Sequence, residues 1–171
     1  MDGGKMIKLA ERRVFSLSFK PLYNEGMSLV EQAAGYLDGQ GRAEAKKLSR
    51  LAATLYAAES MRLTTRLMQV ASWLLLQRAA NSGEMTRDQV ASEKSKVRLD
   101  TASASNESTG WNDLPADFRD LVNRSLSLQA RVRRVDEEIY GANASAPVEP
   151  RRKSNPVSDQ ITLLKTAFGR G

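Results

Sequence analysis

From Arg42 to Ala80 the chain runs without a single proline or glycine. The stretch is rich in Ala, Leu, Met and Arg, all strong helix formers. It predicts one helix of about 39 residues, roughly 58 Å long at 1.5 Å per residue. Its apolar residues fall at Leu48, Leu51, Leu55, Tyr56, Leu63, Leu67, Val70 and Leu74, with Met61, Met68 and Leu75 on a neighbouring stripe. A stripe that wide needs cover from more than one side. The rest of the chain reads as what covers this rod or hangs from it.

Upstream, residues 1–17 show weak periodicity and read as a flexible N-terminus. Pro21 suits a first helical turn, where its missing N–H goes unnoticed. Over 20–37, Leu22, Tyr23, Met27, Leu29, Val30, Ala33, Ala34, Tyr36 and Leu37 form one face and Asn24, Glu25, Ser28, Glu31, Gln32 and Gly35 the other. That is a 3.6-residue pattern. Gly26, Ala33 and Ala34 leave room for a close neighbour. Gly39 and Gly41 are expected to end the helix in a left-handed cap, and so short a loop turns the rod back antiparallel.

Downstream, Asn81-Ser82-Gly83 stops the rod by the same chemistry. Thr86 and Gln89 have the spacing of a capping box opening a short helix. From Asp100 to Gly110 the composition is too polar to bury much. Residues 82–111 therefore read as a long, partly mobile connection, unusual in a compact domain. A third helix follows over 115–140, with Phe118, Leu121, Val122, Ser125, Leu128, Val132, Val135 and Ile139 along one side. Residues 142–171 read as a flexible tail. Within it, 158–168 has the pattern of a short amphipathic helix, with Val157, Ile161, Leu164 and Phe168 in a stripe.

The expected fold is all-α: an antiparallel three-helix bundle over 18–141 with one overlong central helix. Two shorter helices would leave about 20 Å of the rod uncovered. Apolar surface of that extent marks an interface, which predicts a twofold homodimer.

Chemistry is bounded by what is missing. The chain has neither cysteine nor histidine. That excludes thiolate metal sites and cysteine nucleophiles and removes the commonest general base. No cofactor or metal is expected. The N-terminal residues lack the apolar run of a signal peptide, and no apolar stretch reaches the ~20 residues that span a bilayer, so a cytoplasmic protein with no membrane partner is expected.

The net charge of +6 raises nucleic acid as a partner. The charge is spread, however: seven basic and two acidic residues in 42–81, five and two in 141–171, and near balance elsewhere. No segment concentrates Lys and Arg beside groove-reading polar residues, so nucleic acid is the weaker reading.

Two sets of residues stand out. Glu59, Arg62, Arg66 and Gln69 recur at steps of three, four and three, hence on one helical face. They fit a solvated stripe with one ion pair of ~0.2–0.5 kcal/mol. They also fit a protein-contact surface, since arginine anchors interfaces well. A third reading is an Arg-lined anion pocket of a small helical enzyme. The second set is Val157, Ile161, Leu164 and Phe168, a stripe able to dock on its own bundle or in a groove on a partner. The Arg151-Arg152-Lys153 run reads as solvated linker.

Several blocks carry a family resemblance. NEGMSLVEQAAGYLDGQGR (24–42), YAAESMRLTTRLMQVASWLLLQRAANSGEMT (56–86) and NDLPADFRDLVNRSLSLQARVRRVDEEIYG (112–141) resemble the alphaproteobacterial regulator of CtrA degradation family, long catalogued as a domain of unknown function. The resemblance covers 18–141 and extends to the SDQITLLKTAF tail. It implies a three-helix, dimeric, non-enzymatic adaptor in cell-cycle-controlled proteolysis. Its implied partners are the ClpXP protease, primed by a response-regulator-like factor, and cargo proteins or further adaptors.

Overall fold

The computed structural model describes residues 3–141, with side chains from Leu17 onward. All of its regular elements are helical: α1 (Gly3–Asp38), α2 (Gln40–Ala45), α3 (Arg50–Ser82), α4 (Arg87–Lys94) and α5 (Ala116–Tyr140), with a 3-10 turn at Trp111–Asp113 before α5. The contacts divide the chain into a unit ending at Val135 and another from Asp136, and the packing below is that of the first.

The first helix starts far earlier than Pro21. It runs 36 residues from Gly3, with Pro21 inside it. An interior proline loses one backbone hydrogen bond and crowds the carbonyl four residues back. Here the chain is gripped on both sides of it. Phe19 is buried with its ring 6.4 Å from Trp73, and Tyr23 lies 5.9 Å from Phe19. The Phe19–Trp73 contact and the bond from Arg78 to the Tyr23 hydroxyl are tertiary, so a local reading of Pro21 places a boundary where none exists.

The long rod is in turn two helices. Ser49 caps α3, its side chain accepting from the Ala52 N–H at 3.2 Å. The chain turns over Lys46–Ser49, separating the six-residue α2 from the 33-residue α3. The expected central helix is therefore shorter than α1. Gly39 does not adopt a left-handed conformation either; among the described glycines only Gly83 and Gly110 have positive φ. Gly41 instead supplies space. A Cβ there would stand 2.5 Å from the Tyr36 ring and 2.6 Å from the Tyr56 hydroxyl. Gly83 does end α3 in the left-handed region at φ 75°, as its sequence context predicts.

The contacts fix the directions. Phe19 meets Trp73 and Gly26 meets Leu74, while the Cβ position of Gly41 abuts Tyr56, so α1–α2 and α3 are antiparallel. Arg131 binds Glu25, Arg124 binds Gln32 at 3.0 Å and Gln40 binds Asp117 at 3.1 Å, so α5 is antiparallel to α1 as well. It follows that α3 and α5 are parallel, with Tyr56 on Phe118 at 4.5 Å and Arg66 on Ser125. Parallel neighbours cannot be joined by a tight turn. The chain must return along the length of α3, and this is why the connection is long.

The core is sealed by Leu63, Val70, Trp73 and Leu74 of α3 and Phe118, Val122, Leu128 and Val132 of α5. Gly26 sets the approach of α1, because a Cβ there would lie 2.4 Å from Leu74 Cδ1. Ala33, seven residues further on, is buried, whereas Ala34 faces solvent. Gly26→Val forces a branched side chain into this contact. The expected loss is about 1–3 kcal/mol, read as a lower urea midpoint with an unchanged slope.

Candidate functional site

The returning connection is ordered along α3. The Thr86 capping box forms as spaced: Thr86 N–H donates to Gln89 Oε1 at 2.9 Å and Gln89 N–H to Thr86 Oγ1 at 3.3 Å. It opens α4, which buries Val90. Lys94 ends that helix with Nζ 4.4 Å from the centre of the Trp73 ring and 2.6 Å from Gln77 Oε1. At the far end Trp111 and Leu114 are buried, and Gly110, at φ 87°, passes close to Ala52 and Leu55. Between these anchors residues 95–110 form a strap antiparallel to α3.

The polar row of α3 lies beneath the strap. Glu59 Oε1 accepts from the Ala104 N–H at 2.9 Å and is paired with Arg62. All three guanidinium nitrogens of Arg66 are engaged: Nε with Thr101 O at 3.1 Å, Nη1 with Ser125 Oγ at 2.8 Å and Nη2 with Ser103 Oγ at 2.6 Å. Gln69 Oε1 accepts from the Arg98 N–H at 2.8 Å, and Gln129 Nε2 donates to Thr101 O at 3.2 Å. Glu59 and Arg66 have no exposed surface, while the Arg62 side chain keeps 46 % of its own.

Burial lowers the Arg66 pKa below the usual arginine value; the charge of Glu59 opposes the shift and that of Arg62 adds to it. Arginine so titrated still carries its charge at neutral pH. The row is thus an internal clasp holding the connection to the bundle. A solvated stripe needs Glu59 and Arg66 in water, and an anion clamp between Arg62 and Arg66 needs the Arg66 nitrogens free of protein partners. Neither condition holds.

Sequence reasoning missed the strap residues Thr101, Ser103 and Ala104 and the α5 partners Ser125 and Gln129. A signal was present in α5. Ser125 interrupts an apolar side and Gln129 follows one turn later, and both are buried.

Elsewhere α3 is bare. Met61, Met68 and Leu75 are 73 %, 65 % and 51 % exposed, each seven residues from the next. Hydroxyls around them turn back onto the helix: Thr64 Oγ1 donates to Ser60 O at 2.9 Å and Ser72 Oγ to Met68 O at 2.8 Å. A hydroxyl spent on its own backbone offers little to water or a partner. The result is an exposed apolar stripe with one large side chain every seven residues, half of what a coiled-coil heptad presents. The tail residues Val157, Ile161, Leu164 and Phe168 lie outside the described residues.

Among the described residues no group of three acidic side chains could hold a metal ion, and no helix is long and apolar enough to cross a membrane. The fold and its surfaces define an all-helical bundle protein in which a buried charged row holds the connection to the bundle and one apolar stripe of α3 faces outward.

The family model described as "Protein of unknown function (DUF1465)" matches residues 10–168. The chain is similar to a solved structure, RcdA (regulator of CtrA degradation) from Caulobacter crescentus CB15, at 49 % identity; the match covers 72 % of this chain and 91 % of that one, with a TM-score of 0.60. No curated protein matches the chain. The chain belongs to the regulator of CtrA degradation family.

Proposed function

We propose that this chain is a non-enzymatic adaptor that delivers substrates to the ClpXP protease in cell-cycle-controlled proteolysis. It acts in the cytoplasm as a homodimer, beside a response-regulator-like factor that primes the protease. The observation that carries this reading is the 49 % identity to RcdA over most of both chains. An adaptor accelerates by effective concentration, converting a bimolecular encounter of cargo and protease into an intramolecular one with gains up to about 10²–10⁴. That requires separate surfaces for separate partners.

The Met61/Met68/Leu75 seam supports self-association, since methionine and leucine at heptad spacing pack well against a second copy. The Val157/Ile161/Leu164/Phe168 stripe serves cargo or a further adaptor through an amphipathic helix in a partner groove. Purified chain added to ClpXP, the priming factor and a fluorescent cargo should raise the initial degradation rate. Ile161→Asp/Phe168→Asp in the full chain should remove that gain for at least some cargo while leaving the thermal unfolding curve in place. Equal rates with and without the wild-type chain would refute the reading.

A further inference from the structure

The strap is held in an unusual way. Of its bonds to the helices, those at Arg98 N, Thr101 O and Ala104 N use its own main chain, while the helices contribute side chains: Gln69, Arg66, Gln129 and Glu59. Within 98–104 only the Ser103 hydroxyl adds a side-chain bond, to Arg66. Such a trench reads extended backbone and is nearly indifferent to sequence, as in recognition by strand addition. The segment 98–104, RLDTASA, brings one half-buried leucine and otherwise small or polar side chains, so little apolar burial resists its lifting. Its fixed points lie outside it, at Val90 and at Trp111 and Leu114.

The fit is also incomplete. Glu59 Oε2 and Gln129 Oε1 are buried without a hydrogen-bond partner. Buried acceptors left unpaired are costly, and a segment supplying further N–H donors there gains what the strap does not.

We propose that residues 98–104 are an exchangeable occupant: the strap lifts between its two anchors, and the trench of Glu59, Arg66, Gln69 and Gln129 takes an extended, small-residue segment of a partner protein through the same main-chain hydrogen bonds. This makes the α3 polar row a partner surface only after exchange. Binding of this kind involves no protease, so it stands or falls apart from the adaptor reading.

The test uses the full chain and a labelled, end-blocked RLDTASA peptide followed by fluorescence anisotropy. In wild type the tethered strap competes at high local concentration. The variant Arg98→Pro/Ala104→Pro removes two strap donors and touches no trench side chain, so it should bind the peptide at least about tenfold tighter than wild type. N-methylation of the peptide amide matching Ala104 deletes the donor to the Glu59 carboxylate and should weaken binding by about 10- to 100-fold. In wild-type protein alone, the Arg98 and Ala104 amides should exchange with solvent well ahead of those of Val70 and Val122. The proposal is overturned if the strap amides exchange only with the core amides. It is also overturned if no peptide binds either protein, or if the methylated peptide binds as well as its parent.

Discussion

Glu59→Ala should lower the unfolding free energy by about 1–3 kcal/mol, the cost of leaving buried polar groups without their hydrogen-bond partner. The substitution takes away the charge that favours the buried Arg66 guanidinium, which keeps its three hydrogen bonds. It also orphans the Ala104 N–H, so the strap loses a tie at the same time. The matched control is Glu93→Ala. Glu93 makes the same i,i+3 ion pair, with Lys96, but both side chains lie largely in solvent, so its loss should cost less than about 1 kcal/mol. Urea unfolding of both variants decides the matter. The two losses should differ several-fold, and in a double-mutant cycle Glu59→Ala with Arg66→Met should cost less than the sum of the two single changes. A Glu59→Ala loss no larger than that of Glu93→Ala would mean that the clasp carries no weight.

The second large effect concerns association. Met61→Asp/Met68→Asp/Leu75→Asp places three carboxylates on the bare seam, where a twofold partner would present the same three. Central interface anchors cost about 2 kcal/mol or more apiece when lost, so the dissociation constant should rise by at least about 10³-fold. The side chains are more than half exposed in the single copy, so the helical signal and the intrinsic stability of the monomer should hardly change. Sedimentation velocity should show dimer for wild type and monomer for the variant at equal concentration. A variant that sediments as wild type moves the interface elsewhere.

How much of this was legible in the sequence depends on the range of the forces involved. The α5 face was readable because Phe118, Leu121, Val122, Leu128 and Val132 repeat with the period of the helix, and local periodicity is what a sequence displays directly. The Thr86–Gln89 capping box and the Gly83 cap were readable for the same reason, being contained within a turn. Pro21 misleads because its local preference for a helix start is overridden on either side, by Phe19 packing on Trp73 and Tyr23 held by Arg78.

Ser49 was passed over although it is a good N-cap residue, since the apolar repeat runs straight through it. The expected overhang of α3 is absent, because α1 is the longer helix; the exposed apolar stripe of α3 is the surface left for self-association.

The strap shows the limit most clearly. Its composition predicts disorder, and composition measures only what a segment can bury. What orders it is a set of hydrogen bonds from residues 28–45 positions away, such as Glu59 to Ala104 and Gln129 to Thr101. The spacing of Glu59, Arg62, Arg66 and Gln69 announced that one face of α3 was special. It left open whether that face looked out or in.

The most direct measurement is the initial rate of cargo degradation by primed ClpXP as the concentration of this chain is raised from nothing to a large excess. A bridge between two partners gives a rate that climbs and then falls, because excess bridge occupies cargo and protease separately. The account predicts that bell shape, with its maximum lost in the seam variant. A flat response, or a plateau that excess chain never reverses, would contradict it.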